Sequence, residues 1–538
     1  MRKRTIVCML GCLLCLHVTA QMEKFETHEN PILWADTPDP DVIRVGDTFY
    51  MVTTTMHMAP GAPVMRSKDL VNWELASYVY DRLTDSPRYG LQQGTVYGRG
   101  QWATSLKYHK GKFYALFAPN EAGDMGRSYL YSADDAAGPW TLVSRLPHFH
   151  DCSLLFDDDG RVYVLYGTGR ICELTADLQG VVEGSDHQLF TAEADETGIL
   201  EGSRMVKHNG RYYLLMISQV WAPGRYRREV CYRSDNIQGP YEKKVILQSP
   251  LKGFPHVGQG TIVDTEHGDW FGIIFQDRGA VGRVVTLMPC RWLDGWPMLG
   301  DEEGRVPDRM RPVRSGQPRQ PITVSDDFSA PTLDLHWQWN HNPVDEAWSL
   351  GERPGWLRLR TSRIADNLYT APNTLTQRME GPRCSGVVKL DVSRLREGDR
   401  AGFCAFNGHS GVLTVEKKGR QFALTMSETV VHLSQKEKNV ERVDETVRAT
   451  VNFKQPQVWL RIDGDFTLNS DKATFWYSFD GQQWSRIGSD YQMRFDWQRL
   501  FMGTRYAVFC YATKRKGGYV DVESFSYQRE EDRPSTAD

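Results

Sequence analysis

Past its first 20 residues the chain has no apolar run long enough to cross a bilayer as a helix, which takes about 20 residues, so a helical membrane span is excluded there. Cysteine is sparse. Of 10 cysteines, Cys8, Cys12 and Cys15 fall in the opening segment. The remaining seven are odd in number and widely spread, so at least one is unpaired within the chain and a dense disulfide framework is excluded. Positive charge is not in excess: 64 basic residues face 68 acidic ones, which argues against an electrostatic nucleic-acid binder. Helical periodicity is scarce as well. What the chain does have is aromatic side chains, 16 Trp, 23 Tyr and 22 Phe, a composition suited to β structure and to sites that stack on sugar rings.

The opening "MRKRTIVCMLGCLLCLHVTAQ" places three basic residues before an apolar stretch and then Val18-Thr19-Ala20, the form of a secretory signal at 1–20. Cleavage after Ala20 is expected, with lipidation at Cys12 as the alternative. The mature protein is then exported to the periplasm or beyond. At 538 residues the chain has room for two or three domains, and its oligomeric state is left open.

A turn glycine followed by an aromatic-rich strand recurs five times, at Gly46, Gly111, Gly160, Gly210 and Gly268, in stretches such as "VGDTFYMVTTT" and "KHNGRYYLLMISQ". The intervals of 65, 49, 50 and 58 residues each hold about four strands. Repeated four-stranded units predict an all-β fold, a five-bladed β-propeller over about 25–320. A pair of β-sandwiches is the competing architecture.

Shortly upstream of each turn, where the first strand of a blade begins, stand Asp39, Trp102, Asp151, Glu201 and His256 in turn. A propeller gathers equivalent positions of successive blades around its axis. In "HDCSLLFDDDGRVYVLYGTG" the four aspartates therefore divide: Asp157, Asp158 and Asp159 make the turn at Gly160, while Asp151 faces the funnel. A calcium loop is excluded, because counting back from Gly160 puts its first ligand on Leu155. Opposed carboxyl groups in an aromatic cleft are what glycoside hydrolysis requires, one to protonate the departing oxygen and one to activate water or attack the sugar. Glu201 follows Ile199 and Leu200, the most apolar context of the three, and Asp39 lies between Pro38 and Pro40, whose stiffness suits a fixed base.

At these residues the chain resembles glycoside hydrolase family 43, five-bladed propeller enzymes that hydrolyse pentosides with inversion. "PDPDVIRVGDTFYM", "HDCSLLFDDDGRVYVLYG" and "LEGSRMVKHNGRYYLLM" look like that family's three acid motifs. The resemblance implies Asp39 as general base, Glu201 as general acid and Asp151 as the group that orients and tunes the acid. It further implies that Trp102 lies against the sugar, that Arg283 in "GRVVTLMP" reaches sugar hydroxyls and carboxylates, and that His256 contacts substrate indirectly or helps hold a structural Ca²⁺. His57 in "TTTMHMAPG" falls at a substrate-binding position of relatives, although Met56 and Met58 depart from their aromatic pattern. No cofactor is required.

After "MRPVRSGQPRQP" the composition changes, and 325–528 reads as an antiparallel β-sandwich with a hairpin at Asp480-Gly481. It resembles the concanavalin-like C-terminal domain of the β-xylosidase and α-L-arabinofuranosidase branches, where a sandwich loop can close the funnel into a pocket. "FNGHSG" at 406–411 is the candidate for that loop. The tail 529–538 is expected to be disordered. The leading expectation is an exo-acting inverting glycosidase that frees terminal xylose or arabinose from plant oligosaccharides or polysaccharides. Its rivals are a non-catalytic sugar-binding propeller and a phosphorylase.

Overall fold

A computed structural model describes residues 27–120 and 126–530. The predicted signal at 1–20 lies outside them. Five four-stranded antiparallel sheets follow in chain order, beginning with the strands Asp41–Val45, Ser105–His109, Ser153–Phe156, Ile199–His208 and Val257–Asp264. These five strands neighbour one another in a closed ring, the fifth packing on the first. The sheets are thus the blades of a five-bladed propeller. Each first strand turns into the second at one of the five repeated glycines, all with positive φ, from 62° at Gly46 to 87° at Gly268.

The ring is held by five apolar wedges, one between each pair of adjacent blades. Val64, Leu106 and Phe117 fill the first, and Trp73, Ile273 and Leu287 fill the one where the last blade meets the first. At that closure His28–Glu29 pairs with Arg309–Met310. The buried Asn30 amide donates to the carbonyls of Leu287 and Pro307, both at 2.7 Å, tying the ends of the ring together.

The remainder forms two eight-stranded antiparallel sheets packed face to face over Val388, Phe403, Leu460, Phe475 and Phe525. The outermost strand of one sheet is Met58–Ala59, contributed by the propeller and paired with Trp339 and Asn340. Ala280 and Val281 join the sandwich core, and the Arg378 guanidinium donates to the Asp36 carbonyl at 3.0 Å. The two domains are therefore joined by backbone pairing and by shared core.

All seven cysteines of the described residues are buried and unpaired. No described helix is long and apolar enough to cross a membrane. The expected disordered tail begins too early at 529. Arg529 closes the last strand and Glu530 accepts from Arg383 at 3.2 Å, while 531–538 lie outside the described residues.

Candidate active site

Asp39, Trp102, Asp151 and His256 each stand one to three residues before the first strand of their blade, and Glu201 is the third residue of its own. The ring brings all five, with Arg283, to the lining of one cavity of about 520 Å³. Two of the acids get there by unusual backbone. Asp39 has φ 57° and Asp151 φ 47°, in the left-handed region that costs most L-residues roughly 1–2 kcal/mol and that Asp tolerates better than most. Glu201 reaches the cavity through a bulge between Glu201 and Arg204, where Gly202 has φ 77° and lies so close to Gln259 that a Cβ would meet its side chain at 2.7 Å.

Behind the acids lies Arg204, fully buried. Its guanidinium donates to the carbonyls of Asp39 at 2.9 Å, Ser203 at 2.8 Å and Cys152 at 3.3 Å, and its Nε is 3.7 Å from Asp41. One side chain thus fixes the starts of the first, third and fourth blades, each of which carries an acid. Arg283 braces the first blade from the cavity side. Its Nη1 is 3.4 Å from the Asp39 carboxylate, its backbone N–H donates to Asp36 at 2.8 Å, and its guanidinium lies 4.4 Å above the Phe501 ring. Burial pushes the Asp36 carboxyl up, against the pull of Arg283.

His150 precedes Asp151 and connects two of the acids. Its Nε2 is 3.1 Å from Glu201 Oε2 and 4.0 Å from Asp151 Oδ1, and its ring lies 5.4 Å from that of Trp102. Burial works against charge on this imidazole, yet Asp151 first and Glu201 next hold its pKa up to about 9. Burial, reinforced by Glu201 and Asp39 and opposed by His150, pushes Asp151 up to about 7. Proton-holding groups therefore surround Glu201, which is what exchange of a proton with substrate requires.

His150, Asp151 and Glu201 also bring one ligand atom each within 4.8 Å of the others. A cation there would have to displace the protons that those shifts retain on His150 and Asp151. The surroundings of His256 do not fit Ca²⁺. Arg227 donates to the His256 carbonyl at 3.4 Å and takes the Asp277 carboxylate at 2.8 Å. After burial, the charges of Arg227 and Arg225 lower the His256 pKa. Two guanidinium groups already supply the positive charge that a cation would bring.

His57 does not face the cavity. It is buried in the seam between the domains, its ring 4.8 Å from Tyr97 and 4.9 Å from His341, where burial lowers its pKa to about 3. Met56 lines the cavity in its place. The "FNGHSG" stretch is not the closing loop either. Phe495, Trp497 and Phe501 of the sandwich line the cavity, and the stretch supports them: Asn407 donates to the Met502 carbonyl at 2.8 Å and His409 lies 3.6 Å from Asp496. The Phe501 ring faces Trp102 at 5.7 Å. Sequence reasoning passed over His150, Arg204 and this aromatic wall. The first two stand inside stretches singled out for their acids, whereas the wall has no local signal.

Residues 28–297 match the model of "Glycosyl hydrolases family 43", and 325–528 match that of "Beta xylosidase C-terminal Concanavalin A-like domain". Among curated relatives, the chain is similar to a β-xylosidase of Formosa agariphila, 29% identical over 93% of this chain and 90% of the relative. It is also similar to a non-reducing end α-L-arabinofuranosidase of Bacteroides ovatus, 30% identical over 77% and 81%. Among solved structures, a bifunctional GH43-CE protein of Bacteroides eggerthii superposes with a TM-score of 0.85 at 40% identity, covering 95% of this chain. The chain spans 64% of that protein's length.

Proposed function

The chain belongs to glycosyl hydrolases family 43, and from that premise we propose that it is an exo-acting, inverting glycosidase that removes terminal pentoses, xylose or arabinofuranose, from plant oligosaccharides. Glu201 protonates the glycosidic oxygen as the bond to the anomeric carbon breaks. Asp39 takes a proton from the water that attacks that carbon from the opposite face. Asp151 and His150 hold the acid in place and keep protons beside it, and Arg283 orients Asp39. One transfer runs from a side chain to the departing oxygen and the other from water to a side chain, so the protein's own groups supply both. Trp102 of the propeller and Phe501 of the sandwich meet edge to face at 5.7 Å in one wall of the cavity, so the second domain closes that side of the funnel, a pocket geometry that favours attack on chain ends. The signal-like opening segment fits work on oligosaccharides outside the cytoplasm.

The observation that carries this reading is the meeting of Asp39, Asp151 and Glu201, from three blades, in one cavity with a histidine 3.1 Å from Glu201. Nitrophenyl β-xyloside and α-arabinofuranoside, with leaving groups of graded acidity, test it on wild type and Glu201→Ala. Turnover should fall most, by about a hundredfold or more, for poor leaving groups and much less for those that need little protonation. An equal loss across the series would remove Glu201 from the role of acid, and the faster of the two wild-type substrates identifies the sugar.

A further inference from the structure

Of the chain's 16 tryptophans, only Trp221 and Trp497 are largely exposed, at 51% and 64%, and both line the active-site cavity. They come from different domains. Trp221 lies between the second and third strands of the fourth blade, and Trp497 lies in the sandwich segment between Tyr491–Gln492 and Arg505–Ala512. Neither is exposed for want of anchoring. The backbone N–H groups of Trp221 and Ala222 both donate to Thr197 Oγ1 at 3.0 Å. The Phe501 N–H donates to the Asp496 carbonyl at 3.2 Å, and Arg499 Nε donates to the Val431 carbonyl at 2.7 Å, on either side of Trp497. Indole rings held open to water on a cavity rim are surfaces kept for a ligand.

On the same rim Arg225 is exposed and makes no ion pair with any described residue, whereas Arg227, two positions on, is taken by Asp277. A pocket that receives only the terminal sugar leaves the rest of the substrate crossing this rim. An indole face stacks on the apolar face of a sugar ring, and a free guanidinium matches a carboxylate through paired hydrogen bonds. We propose that Trp221, Trp497 and Arg225 form an aglycone site, shared by the two domains, for an oligosaccharide that carries a uronic acid next to the terminal pentose. This rests on the glycosidase reading above.

Three substrates with one terminal pentose test it on the full chain: an aryl glycoside, a neutral oligosaccharide, and the same oligosaccharide bearing a glucuronate on its penultimate sugar. Trp221→Ala and Trp497→Ala should each lower kcat/KM on both oligosaccharides about tenfold further than on the aryl glycoside, whose single small ring covers less of the site. Arg225→Gln should lower kcat/KM about tenfold on the acidic oligosaccharide alone, an effect that added salt erases in wild type. Tryptophan variants that impair the aryl glycoside as much as the oligosaccharides would overturn the aglycone site. Equal effects of Arg225→Gln on neutral and acidic chains would overturn the carboxylate's part in it. If wild type fails to turn over the aryl glycoside, the glycosidase reading falls first and takes this inference with it.

Discussion

Around one cavity the propeller contributes Asp39, Asp151, Glu201 and Arg283, whereas the sandwich contributes Phe495, Trp497 and Phe501. The first set is ionisable, and two of its members sit on left-handed backbone at the starts of blades that the buried Arg204 braces from behind. The second set carries no titratable group and rides on a single segment. The difference follows from what each task demands. Proton transfer fails when a carboxyl group moves by an ångström, so its groups stand on strand starts locked by apolar wedges. Shaping a pocket needs only surface, which an attached loop can supply and vary.

Breaking the ionisable side should have the largest effect. Asp39→Asn keeps the shape and removes the base, so kcat/KM on an aryl glycoside should fall by roughly a hundredfold to ten-thousandfold. Phe495→Ala, across the cavity, should cost far less on the same substrate. Comparable losses would erase the distinction between the two sides.

The next effect concerns stability. Burial, with Glu201 and Asp39, pushes the Asp151 pKa up to about 7 from an ordinary value of 3.8. Folding therefore favours the protonated form, and the stability this gives is fully present below a pH of about 4 and is lost as pH rises through about 7. Asp151→Asn removes that dependence. Relative to wild type its melting temperature should be higher near pH 8 than near pH 4, the rise being reduced by the partner that His150 loses, although activity falls. Trp497→Ala, on the uncharged side, should show no such pH dependence. A constant gap between Asp151→Asn and wild type at both pH values would refute the assignment.

The same contrast explains what could be read from the chain beforehand. Asp39, Trp102, Asp151, Glu201 and His256 were legible because a propeller repeats, and each precedes a recognisable turn glycine in its blade. Arg204 and His150 were within reach, inside the same stretches, but buried bracing has no signature of its own. His57 was misplaced by a single residue. Met56 stands on left-handed backbone with φ 54° and His57 follows in a turn, a local reversal that no pattern in the sequence announces, so Met56 lines the cavity and His57 the seam. Phe501 was beyond reach, since its carbonyl meets Arg283 across 218 positions with no repeat to announce it.

The smallest effect tests how the two sides are set against each other. Gly98, four residues before Trp102, has φ 64°, and a Cβ there would lie 2.4 Å from the carbonyl oxygen of Arg499, two residues before Phe501. Because that oxygen belongs to backbone, the added methyl group of Gly98→Ala must push the aromatic segment away from the propeller. Strain in the left-handed region adds roughly 1–2 kcal/mol, which should lower the melting temperature by several degrees. Gly111 separates the two contributions. Its φ is 83° but a Cβ there meets nothing within 4 Å, so Gly111→Ala carries the strain without the contact. Both variants should melt earlier, Gly98→Ala by more because it also forces the contact apart, and only Gly98→Ala should raise KM severalfold with kcat little changed, because the acids are untouched. An equal rise in KM for Gly111→Ala, or none for Gly98→Ala, would mean that the aromatic wall is not seated on the propeller through this contact.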